Sequence, residues 1–295
     1  MCSSDLQESG VSRSSFIKDK PIYHAAKNWN LSYDKQAEID TLDITSKGCF
    51  YRISSIFRHP VLDIDSYLEE ITHVWTHSSL CDTSWNVLPK FDKIVYIIRD
   101  PRDAALSHAR FVLTPYMKKY FPNDFESKEE YLEKQLEGKL TSWVQHVAPY
   151  IAYSDDFDIH VVFYERLLNN FADELDHLVD YLEITLTEQE RRSVEEAVTF
   201  QSMKEENPEH VQKGKAGKWR DQMTAEQKRR SKMIAGPLLE KLGYPLQDTV
   251  DNIRPSCPET FTPDEAERMI ERARHPFPKD KLKKGVRAIY RTFFS

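Results

Sequence analysis

Apolar residues fall along the chain in two short unbroken runs and several helically spaced sets. Lys93-Ile-Val-Tyr-Ile-Ile98 is β-branched and apolar throughout, the composition of a strand buried on both faces, and Asp100-Pro101 ends it. Ile159-His-Val-Val-Phe-Tyr164 has the same character. Between the two runs the spacing predicts helices over Ala104 to Leu113 and Lys128 to Tyr153, the second with Tyr131, Leu132, Leu136, Leu140, Trp143, Val144 and Val147 on one side. Phe171, Leu175, Leu178, Val179 and Leu182 mark another helix after the second strand. Thr262-Pro-Asp-Glu265 is a capping box with proline in the first turn, so a helix starts there and runs to about Arg274. In the first sixty residues Leu6 to Ser15 has no period, Pro21 interrupts any early helix, and Thr41 to Thr45 is a short strand. Strand, helix, strand, helix implies an α/β fold with a parallel sheet covered by helices, where ligands sit at strand C-terminal ends. The expected organisation is a poorly defined segment 1–40, an α/β domain 41–247 and a helical, basic extension 248–295.

Composition narrows this picture. The chain has 295 residues, 40% hydrophobic and 12% aromatic, enough for a packed core. A net charge of −7 disfavours a general nucleic-acid binder. Cys2, Cys49, Cys81 and Cys257 lie far apart without a C-x-x-C pair, which fits a reducing compartment and neither a metal site nor a disulfide framework. The longest uncharged apolar run, Ile94 to Ile98, is far short of the ~18–20 residues that cross a bilayer, and the start lacks signal-peptide order. A cytoplasmic location is expected. Arg272 to Arg291 holds eight Lys/Arg and one acid with aromatics interleaved. It either docks on its own domain or makes peripheral contact with an anionic membrane.

Three stretches carry candidate chemistry. Arg99-Asp-Pro-Arg-Asp103 directly follows the first buried strand, and Ser107 comes one helical turn after Asp103. A guanidinium at a strand end, a hydroxyl and free N–H groups at a helix start make an anion site; alternatively Arg99 pairs with Asp103 and ties the loop. His77, after Trp75-Thr76, has an imidazole able to take a proton from a hydroxyl near neutral pH, although a lone histidine is more often structural. Tyr164 ends the second strand, and by itself reads as core packing. Gln212-Lys-Gly-Lys-Ala-Gly-Lys-Trp219 has three lysines and two glycines from Lys213 to Trp219, either a phosphate-closing loop or solvated surface.

The order of these elements resembles the cytosolic-type sulfotransferases, which use 3′-phosphoadenosine 5′-phosphosulfate (PAPS). That family carries Lys-Thr-His, Arg-Asn-Pro-Lys-Asp with a serine eight residues past the arginine, Ser-Trp-x-x-His, Tyr-Glu-Asp, Thr/Ser-Phe-x-x-Met and Arg-Lys-Gly-x-x-Gly-x-Trp. Here they read Trp75-Thr76-His77, Arg99 to Asp103 with Ser107, Ser142-Trp143-Val-Gln-His146, Tyr164-Glu165-Arg166, Thr199-Phe200-Gln-Ser-Met203 and Gln212 to Trp219, across roughly Ile71 to Leu242. The resemblance implies a P-loop-like single domain and a PAPS-dependent enzyme with no metal, leaving 3′,5′-ADP as product. It implies that Arg99 and Ser107 hold the 3′-phosphate, Lys213 and Gly214 close over it, and Phe200 and Tyr164 surround the adenosine. His77 becomes the general base toward a hydroxyl or amine of a small-molecule or glycan acceptor.

Three departures stand out. Gln212 replaces the family arginine and removes one charge-assisted contact to the 3′-phosphate, worth roughly 1.5–3 kcal/mol. The family's dimer motif falls on Arg220 to Arg229, where only Thr224 matches cleanly, so that dimer is not expected. The Pro-Lys-Ser-Gly-Thr-Thr-Trp loop that aims a cation at the departing 5′-phosphate has no counterpart string. Arg13-Ser14-Ser15-Phe16 and Thr45-Ser46-Lys47-Gly48 are its candidate replacements. Otherwise the chain is an N-terminally truncated member, and its rival function is binding of the 3′-phosphoadenosine nucleotide with little or no transfer. The segments Ser46–Ser66 and Val112–Leu132 are expected to line the acceptor pocket.

Overall fold

The computed structural model describes residues 15–18, 20–29, 31, 40–54, 56–198, 216–248 and 253–276. Helix α1 (Pro21–Ala26) is followed by strands β1 (Thr41–Thr45), β2 (Gly48–Ile53) and β3 (Phe57–Val61), helices α2 (Ile64–Glu69) and α3 (Ser84–Val87), and strand β4 (Ile94–Ile98). Then come α4 (Pro101–Phe111), α5 (Pro115–Tyr120), α6 (Lys128–Ala152), β5 (Ile159–Phe163), α7 (Tyr164–Asn169), α8 (Phe171–Leu182) and α9 (Glu188–Ala197). The last elements are α10 (Trp219–Gln222), α11 (Ala225–Ile234), α12 (Gly236–Lys241) and α13 (Pro263–Arg274).

The two apolar runs pair in parallel, Ile94 with Ile159 through Ile98 with Phe163, as the alternation of strands and helices predicts. One expectation fails here. Val95 and Ile97 are 38% and 57% exposed, so among the described residues β4 is covered on only one face. An unbroken apolar strand records burial propensity but not which neighbour supplies the cover. Pro21 also acts differently from the reading above. It opens α1 at a position whose N–H needs no partner, and so starts the helix it was expected to interrupt.

Residues 41–61 form an antiparallel meander, β1 to β2 to β3. Leu42, Ile44, Cys49, Tyr51 and Ile53 alternate inward, and the outward side is polar. The turn between β1 and β2 is Thr45-Ser46-Lys47-Gly48: Thr45 Oγ1 donates to the Gly48 carbonyl and Gly48 adopts φ 120°. A strand follows where a phosphate cradle requires a helix N-terminus, which corrects the second candidate replacement loop. In the first candidate, Phe16 packs on Tyr51 and Tyr67 with ring centroids 5.1 and 5.0 Å away, while residues 13 and 14 lie outside the described residues.

Two apolar clusters fill the molecule, one under α4, α6 and the C-terminal helices, one behind the meander. Tyr96 and Val161 pack against both, so the β4–β5 pair lies between them. Helix α6 is the central strut. Ser127 caps it, and Leu132, Leu136, Leu140, Val144, Val147 and Ile151 recur every three or four residues and are buried. Helix α13 forms where the capping box predicts it and lies along α6, with Thr141 Oγ1 donating to the Ala273 carbonyl. No helix among the described residues is long and apolar enough to cross a membrane.

Helices α4 and α6 also meet through His108 and Tyr131, whose Nδ1 and hydroxyl lie 2.8 Å apart. Burial first, then the Lys139 cation, lowers the pKa of His108 from 6.5 to about 4. The unfolded chain therefore binds more protons than the folded one between about pH 6.5 and 4, so stability rises with pH across that window and is lost as pH falls. Burial lowers His146 and His160 in the same direction. The melting temperature is expected to fall from pH 7 to pH 5, and His108→Gln to flatten that fall in thermal melts; a slope unchanged by the substitution removes His108 from the account.

Candidate functional site

The motif Arg99 to Asp103 joins β4 to α4, and the structure gives its two arginines opposite fates. Arg102 is buried. Its Nε and Nη2 donate to Asp100 at 2.9 and 2.7 Å, Nη2 also donates to the Pro245 carbonyl, and the guanidinium lies 3.7 Å from the Trp219 ring centroid. Asp100 also caps α4 through the Arg102 N–H. Arg99 instead points from the strand end over the Tyr164 ring, 4.5 Å from its centroid, and its buried Nε has no hydrogen-bond partner. A planar cation stacked on an aromatic face with a buried, unpartnered Nε is able to receive an oxyanion.

The ion pair considered for Arg99 and Asp103 does not form. The buried Asp103 carboxylate accepts from the Gly217 N–H at 2.5 Å and the Trp219 N–H at 2.9 Å. Burial and the neighbouring Asp100 raise its pKa, and the two N–H groups and Arg99 oppose them. The anchored turn is tight. Gly217 adopts φ 79°, and a Cβ there would meet Arg220 Nη1 at 2.0 Å. Arg110 Nη2 adds a 2.5 Å bond to Gln222, so α4 holds the end of the lysine-glycine loop at two points. Ser107 is exposed on α4, one turn after Asp103 and hence on the same side of the helix. Phe200, Gln212, Lys213 and Gly214 lie outside the described residues.

Tyr164 opens α7 at the end of β5, and the next residue explains its placement. Glu165 is fully buried; it accepts from the Asp100 N–H at 2.9 Å and the Tyr244 hydroxyl at 2.7 Å. The turns after β4 and β5 are thereby bolted together, bringing the Tyr164 ring under Arg99.

His77 arrives by another route. Thr41 and Trp75 form a parallel bridge, with Leu42 N–H donating to the Trp75 carbonyl and Trp75 N–H to Asp40, both at 2.8 Å. The ladder then stops. Ile44 N–H bonds the Ser78 hydroxyl at 2.7 Å, which holds the His77 segment against β1. Tyr96 on β4 puts its hydroxyl 2.7 Å from His146 Nδ1, and Tyr150, one turn further along α6, donates to the Ser78 carbonyl at 2.8 Å. The rings of Tyr96, His146 and Tyr150 stack on one another with centroids 4.4 to 5.7 Å apart. The His77 side chain itself reaches solvent. Its pKa lies below the usual 6.5, chiefly because the protein strips part of its hydration and secondly because of the Arg52 cation, with Asp43 opposing.

The same helix carries the other half of the site, since Trp143 Nε1 donates to the Arg99 carbonyl at 3.1 Å. Trp143 and His146 are one turn apart, with Cβ atoms about 5–6 Å from each other. The carbonyls of Arg99 and of Ser78, next to His77, are thus both held by α6, through Trp143 and Tyr150. The sequence reading assigned His146, Tyr150 and Glu165 no role and Asp103 only that of a partner for Arg99. Nothing local in their motifs shows which distant backbone groups they hold. The meander did leave a signal, alternation on both sides of Thr-Ser-Lys-Gly. The two segments expected to line an acceptor pocket do touch, through the Ser54 hydroxyl and the Tyr116 phenol.

The fold is an α/β domain with a stacked guanidinium at the end of β4, an exposed hydroxyl on α4 and an exposed imidazole beside β1. The sulfotransferase domain family model matches residues 21–243, and the chain belongs to that family. Amine sulfotransferase of Oryctolagus cuniculus is 27% identical over 158 residues, 47% of this chain and 51% of that protein. Sulfotransferase 1A1 of Rattus norvegicus is 26% identical over 173 residues, 52% of this chain and 58% of its own length. The chain therefore spans about half the length of the curated relatives it matches. A solved retinol dehydratase, in complex with androsterone and the inactive cofactor PAP, superposes with a TM-score of 0.51 at 25% identity, covering 64% of this chain and 56% of that one.

Proposed function

We propose that this chain moves a sulfuryl group from PAPS to a hydroxyl or amine of a small-molecule or glycan acceptor, with His77 as general base. The observation that carries the reading is that α6 holds the Arg99 carbonyl through Trp143 and, two turns on, the Ser78 carbonyl next to His77 through Tyr150. A donor with a 3′-phosphate at one end and a sulfuryl group at the other needs an anion receptor and a base held at fixed separation. Arg99 fits the first role, since its buried Nε is unspent and its guanidinium is pre-oriented by Tyr164. Ser107 supplies a hydroxyl on the α4 face that carries the anchored loop, and Lys213, Gly214, Gln212 and Phe200 belong to that loop and its approach.

The chemistry asked of the protein is modest. Sulfuryl transfer, like phosphoryl transfer, runs mostly on alignment and charge stabilisation, to which a positioned base adds about 10²–10⁴-fold. A lowered imidazole pKa keeps His77 unprotonated at neutral pH, ready to accept the proton of the acceptor. Titration calorimetry with 3′,5′-ADP tests the nucleotide half. Wild type is expected to bind, and Arg99→Ala to lose about 1.5–3 kcal/mol, the worth of a charge-assisted contact. Equal affinities would return Arg99 to a packing role.

A second reading, nucleotide binding with little or no transfer, is favoured by one observation. Thr45 to Gly48 is a hairpin turn, so this candidate is not a strand–loop–helix cradle for the 5′-phosphosulfate. Movement of labelled sulfate from PAPS to an acceptor separates the two.

A further inference from the structure

The outward face of the meander carries a charge arrangement that the nucleotide site does not use. On β1 and β2 the residues facing away from the core are Thr41, Asp43, Thr45, Phe50 and Arg52, and Arg52 stands opposite Thr41 in one ladder and Arg58 in the next. The parallel bridge of Thr41 to Trp75 extends this face by one more segment. The ladder ends there, but the Ile44 N–H bond to the Ser78 hydroxyl at 2.7 Å keeps the segment against β1, which places His77, one residue before Ser78, near Asp43, one residue before Ile44; Trp75 and His77 are both exposed. One continuous surface thus holds the imidazole, one carboxylate and two guanidiniums.

Asp43 is shared. Arg52 Nε donates to its Oδ1 at 3.0 Å, and Arg58 Nε lies 3.6 Å from Oδ2. A third anchor, Arg52 Nη1 to the Ser54 carbonyl at 3.0 Å, fixes the Arg52 fork in place. Arg58 is fixed as well, its guanidinium 3.8 Å from the Phe50 ring centroid. One carboxylate against two guanidiniums leaves the cluster with a net positive charge, and the hydrogen bonds given for Arg52 leave its Nη2 unspent among the described residues. Two rigid cations sharing one acid favour a further oxyanion between them and His77.

We propose that Arg52, supported by Asp43, Arg58 and the Ser54 carbonyl, is an oxyanion-binding residue beside His77, taking a sulfonate or carboxylate group. Under the sulfotransferase reading, on which the choice of source rests, that oxyanion is either the sulfonate end of the donor or an acid group on the acceptor. In the first case Arg52 provides a cation toward the donor's sulfonate end, for which the sequence holds no counterpart of the family's Pro-Lys-Ser-Gly-Thr-Thr-Trp string. In the second it selects acidic acceptors. The coupling of the His77 pKa to Arg52 and Asp43 agrees with the closeness of the three groups.

The direct probe is inorganic sulfate at low ionic strength, titrated into the full chain while the His77 ring signals are followed by NMR. Wild type is expected to give a saturable shift. Arg52→Gln is expected to weaken the apparent affinity at least tenfold, and Asp43→Asn to strengthen it, since the competing carboxylate is gone. Opposite signs from two substitutions in one ion pair exclude general loss of structure, and thermal melts of both variants check that they fold. A His77 signal that ignores sulfate, or an Arg52→Gln variant that titrates like wild type, overturns the proposal. Calorimetry then assigns the source. If Arg52→Gln loses PAPS affinity about tenfold and keeps that for 3′,5′-ADP, the donor sulfonate is the ligand. If it instead loses a preference for 4-hydroxybenzoate over the methyl ester, the acceptor is. Neither change overturns the role beside His77. Wild type that binds neither nucleotide defeats the sulfotransferase reading, and the sulfate titration still decides the site.

Discussion

His77→Ala is expected to slow sulfuryl transfer by about 10²–10⁴-fold, the contribution of a positioned general base, with affinity for 3′,5′-ADP essentially unchanged. The separation follows from how the residue is held. The neighbour of His77, Ser78, is bonded by Ile44 and Tyr150, while Arg99 is set by Trp143 and Tyr164. Removing the imidazole disturbs none of those contacts. The pH profile adds an independent check. A base must be unprotonated to act, and the His77 pKa lies below the ordinary imidazole value, so the acidic limb of kcat/KM is expected below about pH 6.5. That limb should vanish in the alanine variant. An unchanged limb, or a variant that transfers sulfate at the wild-type rate, would remove His77 from the chemistry.

Asp103→Ala is expected to destabilise the fold by about 2–4 kcal/mol in chemical denaturation and to weaken nucleotide binding at the same time. The stability loss has two opposing parts. The Gly217 and Trp219 N–H groups lose a charged acceptor and stay buried, each costing about 1–3 kcal/mol, and relief of a buried carboxylate with a raised pKa returns a part of it. The binding loss comes from chain reach. Lys213 is four positions before Gly217, so its backbone stays within about 14 Å of the anchor, and releasing the anchor releases the loop. An Asp103→Ala variant with wild-type stability would show that the two N–H groups find other partners. One that is destabilised but binds 3′,5′-ADP normally would separate the loop from the nucleotide.

Both experiments probe residues that were unequally legible. Arg99 and His77 stand out by position, one at a strand end and one before it. Asp103 sits in the same motif as Arg99, yet its partners lie 114 and 116 residues away, and the nearer reading was an ion pair within the loop. Arg99 and Arg102 are the same residue type three positions apart. Which is buried against Asp100 and Trp219, and which is left free over Tyr164, depends on where Trp219 and Tyr164 dock.

By itself the sequence determined the elements whose signal is local. The runs Ile94–Ile98 and Ile159–Phe163, the spacing of Lys128–Ala152 and Phe171–Leu182, and the Thr262 capping box each satisfy their own periodicity or their own N–H groups, and all appear in the structure. The tertiary structure alone decided what depends on the surroundings. It turned Thr45 to Gly48 into a hairpin, left Val95 and Ile97 exposed, gave the Ser78 carbonyl to α6, and joined two guanidiniums on Asp43 near an imidazole. The physical reason is range. Backbone periodicity is set by neighbours three or four positions away, whereas a buried carboxylate or an unspent guanidinium is defined by groups that only packing brings within 3 Å.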